Sequence, residues 1–244
     1  MYYDFHHGTK AIAGYTLEKE LGTGLFGTCY LCKNQLGKPV ILKQYKAEAF
    51  QINPKKNHYE ASTLSTLTYP AIPRLFGILH TRTSMYLLLE YMPGNTLAKN
   101  LFYFQKTFNN SDIFRIGLQL LSVIDYLHMR NIVHRDISID NIIDDGVQIS
   151  LVDFGMSRSI RYEEPGAWLD YYCFGEVLLF LLYSRFTRNN GQSTASTPWY
   201  EELKLPSYHK EFINRLLNKE KPFMNVAEIT FHFTKFMKSL PRFI

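Results

Sequence analysis

Two short runs hold most of the side chains able to do chemistry: His134-Arg135-Asp136-Ile137-Ser138-Ile139-Asp140-Asn141 and Asp153-Phe154-Gly155. Asp136 is placed to accept or orient the proton of an attacking hydroxyl. Asn141 and Asp153 offer the hard oxygen ligands that suit magnesium. Upstream, Lys43 ends the apolar run Val40-Ile41-Leu42, and Glu60 follows 17 residues later. Singly, each is an ordinary surface charge. Paired, they make a cation reaching for phosphates, held in place by a carboxylate on a neighbouring helix. The loop Gly22-Thr23-Gly24-Leu25-Phe26-Gly27 precedes them. Glycines permit tight turns and close approach of backbone to phosphate, although such spacings alone are weak signals.

These residues need a scaffold, and the order of the elements supplies one. Residues from about 14 to 46 read as three short strands: Tyr15 and Leu17 lead into the glycine turn, Thr28 to Leu31 follow, and Pro39 to Lys43 come after the turn Asn34 to Lys38. Because a strand rather than a helix follows the glycines, the loop reads as a flap over ATP phosphates and not as a dinucleotide turn. A helix is expected over about 55–67, with Leu64 and Leu67 on one face. Two more strands follow, near Leu75 to His80 and Met85 to Glu90, until Met92-Pro93-Gly94-Asn95 ends the sheet-rich half. The second half is mainly helical. Its longest helix is expected to be capped at Ser111, to bury Ile113, Phe114, Gly117, Leu120, Leu121, Ile124 and Leu127, and to stop at Asn131. Asp145-Gly146 marks a hairpin between Asn141 and Val152.

Composition bounds the rest. A chain of 244 residues with 46% apolar side chains suits one two-lobed domain or two small ones, without room for a further module. The excess of 27 basic over 22 acidic residues is mild and does not point to nucleic acid. Three cysteines, Cys29, Cys32 and Cys173, are too few for a disulfide framework and suit a reducing compartment. The odd separation of Cys29 and Cys32 within a strand puts them on opposite faces, against a metal or redox pair. Met1 to Lys10 is polar, as in a chain without a secretory signal. The longest apolar stretch, Val177 to Tyr183, is too short to span a bilayer. A cytoplasmic protein is expected, or one delivered to a host cytosol as an effector.

From about Tyr15 to Met237 the chain resembles the eukaryotic-like protein kinases, in particular compact bacterial members. The resemblance implies an α+β, two-lobed fold over 12–240, with an N-lobe of antiparallel sheet plus one helix (about 12–91) and a larger helical C-lobe (about 95–240). It implies ATP and magnesium, with manganese as a possible substitute, and a protein substrate or regulatory protein partner. The catalytic set would be Asp136, Lys43 and Glu60, with Asn141 and Asp153 at the metal. Nucleotide contacts would come from Gly22, Thr23, Gly24, Leu25, Phe26, Gly27, Cys29, Ile41, Lys43, Leu89, Glu90, Met92, Thr96 and Ile143. In such kinases the residue before the hinge gates a pocket behind the adenine, here Leu89, and backbone groups of Glu90 and Met92 would meet the adenine edge. Asp170 would open the central buried helix and steady the catalytic-loop backbone. Leu64, Leu75, Phe154 and His134 would stack as a spine.

Several positions depart from that family. Asp170 lies only 17 positions after Asp153, and the closing Ala-Pro-Glu is missing, with Glu163-Glu164-Pro165 a poor substitute. Lys221-Pro222 stands where Arg-Pro is expected, consistent with that loss. Ser138 replaces the lysine usual in serine/threonine kinases. Cys29 and Ile41 replace Val and Ala above the adenine. The expectation is therefore a serine/threonine kinase with a shortened activation segment and no loop-phosphorylation switch. A nucleotide-binding pseudokinase or scaffold that recruits another protein is the alternative. A small-molecule phosphotransferase is disfavoured by Arg135.

Overall fold

Alternating apolar positions make the first half a curled antiparallel sheet. In the computed structural model, which describes residues 11–12, 14–24, 27–45, 54–81, 84–159, 166–186 and 198–240, the strands are β1 (Ala11–Ile12), β2 (Tyr15–Thr23), β3 (Gly27–Lys33), β4 (Pro39–Tyr45), β5 (Leu75–His80) and β6 (Met85–Glu90). They are ordered β1-β2-β3-β4-β6-β5. The short β1, paired with β2, has no counterpart in the sequence reading. Helix α1 (Pro54–Thr66) starts on a proline, which suits a first helical turn where no amide donor is needed. It buries Glu60, Ala61 and Leu64.

Strand periodicity separates two faces of this sheet. Cys32, Val40, Leu42, Tyr86 and Leu88 pack with Ile12 into one core. Cys29 lies opposite Lys43, and Ile41 opposite Leu89, so these four side chains share the other face. The two cysteines of β3 thus point away from each other, as their spacing requires. Gly27 is needed for packing: a Cβ there would lie 1.8 Å from the Gln44 carbonyl oxygen.

The chain divides into two compact units, Met1–Pro93 with Val152–Ser157, and Gly94–Leu151 with Arg158–Ile244. In the second unit β7 (Asn95–Thr96) joins a three-stranded sheet with β9 (Ile142–Asp144) and β10 (Ile149–Leu151), and β8 (Ile132–Val133) pairs with β11 (Arg158–Ser159). The hairpin turn is closed by Asp145, whose Oδ1 accepts from the amides of Val147 and Gln148 at 2.8 and 2.7 Å.

Helix α2 (Asn110–His128) is capped by Asn109, not Ser111. Asn109 accepts from the Asp112 amide, and the Asp112 carboxylate accepts from the Asn109 amide. A cap at Ser111 would have put Phe114 in the third position, where no side chain could return that bond. The helix ends at His128, before the expected Asn131, which takes the left-handed conformation at φ 58. Its buried stripe includes Ile116 and Val123, while Phe114 is only half-buried. Gly117 is buried, and only glycine fits there, since a Cβ would strike the Phe233 ring at 2.3 Å.

Helix α2 packs against α3 (Trp168–Tyr183) and α6 (Val226–Ser239), and α5 (Ser207–Leu216) packs against those two, with the short α4 (Trp199–Glu202) preceding it in sequence. Phe174, Phe212, Phe233 and Phe236 form the aromatic centre of this unit.

Candidate active site

The first unit builds a charged cluster on the sheet face that carries Lys43, opposite the core of Cys32, Val40 and Leu42. The Lys43 ammonium is 3% exposed and donates to Glu60 Oε1 at 2.9 Å, Glu60 Oε2 at 2.7 Å and Asp153 Oδ1 at 2.7 Å. Burial alone would push this ammonium down, but the carboxylates of Glu60 and Asp153 outweigh it and hold it above the ordinary lysine value. Lys43 is a permanent cation here. Asp153 sits in the left-handed region at φ 63, where its carboxylate also accepts from the Gly155 amide at 3.2 Å. Such backbone conformations are costly for a residue with a Cβ and persist where surrounding bonds fix them.

Tyr45, two residues beyond Lys43 and on the same strand face, donates its hydroxyl to Glu60 Oε2 at 2.6 Å. The sequence reading missed it, although the strand period alone directs its side chain to the Lys43 face. Helix α1 is also tied to the turn after Asp153. The buried Ser157 hydroxyl donates to the Phe154 carbonyl at 2.7 Å and to Thr63 Oγ1 at 3.3 Å.

In the glycine loop, Gly22 lies opposite Cys29 and Thr23 opposite Thr28, and the Gly24 amide donates to the Gly27 carbonyl at 2.8 Å. Among the described residues, a Cβ at Gly22 or Gly24 would meet nothing within 4 Å. Leu25 and Phe26 lie outside the described residues. Cys29, Ile41 and Leu89 line the same face as Lys43. Burial pushes the Cys29 thiol up to about 11 even though Lys43 opposes it. At the hinge, the Glu90 amide is already donated to the Arg74 carbonyl at 2.9 Å, and Arg74 also grips the Glu90 carboxylate. Met92 is half-buried. Leu64 and Phe154 are fully buried, and Leu75 partly so.

The second unit builds a loop fixed by one buried carboxylate. Asp170, wholly buried near the start of α3, accepts from the His134 amide at 3.0 Å, the Arg135 amide at 2.8 Å and His128 Nε2 at 2.8 Å. The amide bonds hold Arg135 at φ 72, the turn that presents the next residue, Asp136. Asn141 donates its amide to both the Asp136 carbonyl at 2.8 Å and the Asp136 carboxylate at 2.9 Å. With its nitrogen so used, Asn141 turns its carbonyl oxygen, the atom that can bind a cation, to other work. Thr96 and Ile143 are direct cross-strand partners in β7 and β9. His134 is buried. The His128 contact was not anticipated, because nothing in a helix-end histidine signals a partner 42 residues away.

Magnesium fits the residues present. Among the described residues no group of three or more His, Cys, Asp and Glu could hold a metal by itself. Magnesium is usually held by one or two protein oxygens plus substrate phosphates; the first unit offers the Asp153 carboxylate and the second the Asn141 carbonyl oxygen, each a ligand of that class. Glu163-Glu164-Pro165, Arg161 and Tyr162 lie outside the described residues. Arg158 pairs through its backbone with Val133, and Lys221 is exposed.

Comparison with known proteins agrees with this arrangement. The family described as Protein kinase domain matches residues 15–179. The chain is 30% identical over 223 residues to the probable serine/threonine-protein kinase YbdM of Bacillus subtilis (strain 168), covering 88% of this chain and 86% of that protein. It is 32% identical over 154 residues to the mouse serine/threonine-protein kinase Nek11, of which it spans only 24%. It is 31% identical over 147 residues to the human putative serine/threonine-protein kinase PRKY, of which it spans 52%. Since the matched region runs from the first long strand of the sheet into α3, and the bacterial relative is matched over most of its length, the chain belongs to the protein kinase family.

Proposed function

We propose that this enzyme is a single kinase domain over 12–240 that moves the γ-phosphoryl group of ATP to a serine or threonine hydroxyl of a protein, with magnesium as cofactor or manganese in its place. The observation that carries this reading is the buried Lys43 ammonium held between Glu60 and Asp153. A cation so desolvated needs a function beyond stability, since a well-packed apolar group of similar volume is often as stable there.

Each residue has a defined task in this reaction. Lys43 binds and aligns the nucleotide phosphates, and Glu60 keeps it extended along the sheet face. Gly22 and Gly24 let backbone approach the same phosphates. Asp153 and Asn141 would hold magnesium, which when bound neutralises the charge gathering on the transferred group. Asp136, its carboxylate fixed by the Asn141 amide, orients the acceptor hydroxyl and takes its proton. Catalysis is then positioning and charge neutralisation, with no covalent step on the protein.

Two observations support a site formed without loop phosphorylation. Asp170 lies only 17 positions after Asp153. Ser157, a hydroxyl in that stretch, is wholly buried and bonded within its own unit. Free thiols at Cys29, Cys32 and Cys173 suit a cytosolic setting, and no described helix is long and apolar enough to cross a membrane. The test is incubation with γ-labelled ATP and magnesium, alone and with a generic basic protein acceptor. Label on serine or threonine is the expected result. Nucleotide binding without any transfer would instead favour a scaffold that recruits another protein.

A further inference from the structure

Glu60 is the one buried carboxylate among the described residues of the first unit, at 1% exposure, and a lysine ammonium by itself is a weak constraint on its orientation. An ammonium is a compact point charge that a carboxylate can meet from many directions. Glutamate also has three side-chain torsions to settle. The second fixed point comes from Tyr45. Its ring is 2% exposed, and its hydroxyl donates to Glu60 Oε2 at 2.6 Å, the same oxygen that accepts from Lys43 at 2.7 Å.

We propose that Tyr45 is a positioning residue for phosphoryl transfer: its hydroxyl locks the Glu60 carboxylate, and through it the Lys43 ammonium, in the working geometry. This rests on the kinase reading above. Three features carry it. The bond is short and charge-assisted, the class that is both stronger and more directional than a neutral pair. The phenol stays a donor throughout the working pH range, because burial first and the Glu60 charge second push its ionisation far above the usual tyrosine value. Finally, the Lys43 ammonium lies 5.9 Å from the Tyr45 ring centre, so the one side chain contacts both members of the pair.

The lock also bears on control. One helical turn beyond Glu60, Thr63 accepts from the buried Ser157 hydroxyl. Helix α1 is therefore held from the sheet by Tyr45 and from the segment after Asp153 by Ser157. Both fasteners are neutral hydroxyl groups of the fold itself, and neither calls for an added phosphate.

The test is Tyr45→Phe, which keeps the ring and removes the hydroxyl. Turnover should fall about tenfold, while KM for ATP stays within about twofold. In a Glu60→Ala background, which removes the acceptor, the same change should cost less than about twofold, because the hydroxyl acts only through the carboxylate. Unchanged turnover in Tyr45→Phe, or an equal loss in both backgrounds, would overturn the proposal and leave Tyr45 as packing. If the wild-type chain transfers no phosphate, the kinase reading fails separately. The lock is then decided by amide hydrogen exchange in α1: faster exchange in Tyr45→Phe supports it, and unchanged exchange overturns it.

Discussion

The two units solve the problem of holding a reactive side chain in opposite ways. In the first, charge holds charge: Lys43, Glu60 and Asp153 are mutually dependent, and Lys43 and Glu60 are almost completely removed from water. In the second, a wholly buried carboxylate, Asp170, shapes the backbone, and Asp136, the proposed base, stays half-buried with the Asn141 amide against its carboxylate. A buried ion pair is costly to break, because the remaining charge has lost its compensation. A half-exposed carboxylate can be neutralised with little effect on folding. The first unit should therefore couple activity to stability, and the second should separate them.

The largest effect is expected from Asp153→Ala, which removes a charged ligand from a site where each such interaction counts. Transfer should drop by about a thousandfold or more, ~4 kcal/mol in the barrier. Turnover assays check this, and retained activity would remove Asp153 from the mechanism.

Next is Asp136→Asn. Turnover should fall by about a hundredfold or more, with ATP affinity and melting temperature near those of the wild type. Lys43→Met should cost a comparable factor in turnover. It should also destabilise the fold by about 3 kcal/mol, because Glu60 is left buried without its lysine. Denaturant titration of the two variants tests the comparison. Equal loss of stability in both would break it.

A smaller effect concerns Cys29 on the site face of the sheet. With its thiol raised to about 11 by burial, little thiolate exists at pH 8. Alkylation should run at roughly a hundredth of the rate of an ordinary thiol and speed up as pH rises toward that value. A fast reaction at pH 8 would show that this face is wetter than the charge cluster implies.

The smallest effect is expected at Ser159, in β11. Phosphatase treatment and Ser159→Ala should each change activity by less than about tenfold, ~1.4 kcal/mol. A larger loss would show that a conventional phosphorylation switch survives. Ser157 is unsuited to this test, since its buried hydroxyl bonds to Phe154 and Thr63 and its removal would disturb the fold.

Much of this was legible in the sequence because strand and helix periods are local. The limits of β5 and β6 and the opposite faces of Cys29 and Cys32 follow from spacing alone, and the pairing of Lys43 with Glu60 was read from the motifs around them. What escaped depends on reciprocity or distance. Ser111 and Asn109 are equally good caps as residue types, and only Asp112 decides between them by returning the bond. β1 is two residues long, and its existence depends on β2 beside it. Tyr45 looks like any strand aromatic until Glu60, 15 residues away, is placed next to its hydroxyl. Similarly, the bond from His128 to Asp170 needs the α3 helix to be in position first.

The most direct test compares wild type and Asp136→Asn in one experiment, with ATP affinity measured by calorimetry and transfer of γ-labelled phosphate measured on the same preparations with magnesium and a basic protein acceptor. The account predicts equal nucleotide binding by both proteins and phosphate on serine or threonine with the wild type alone. Equal transfer by the two proteins, or transfer by neither, would contradict it.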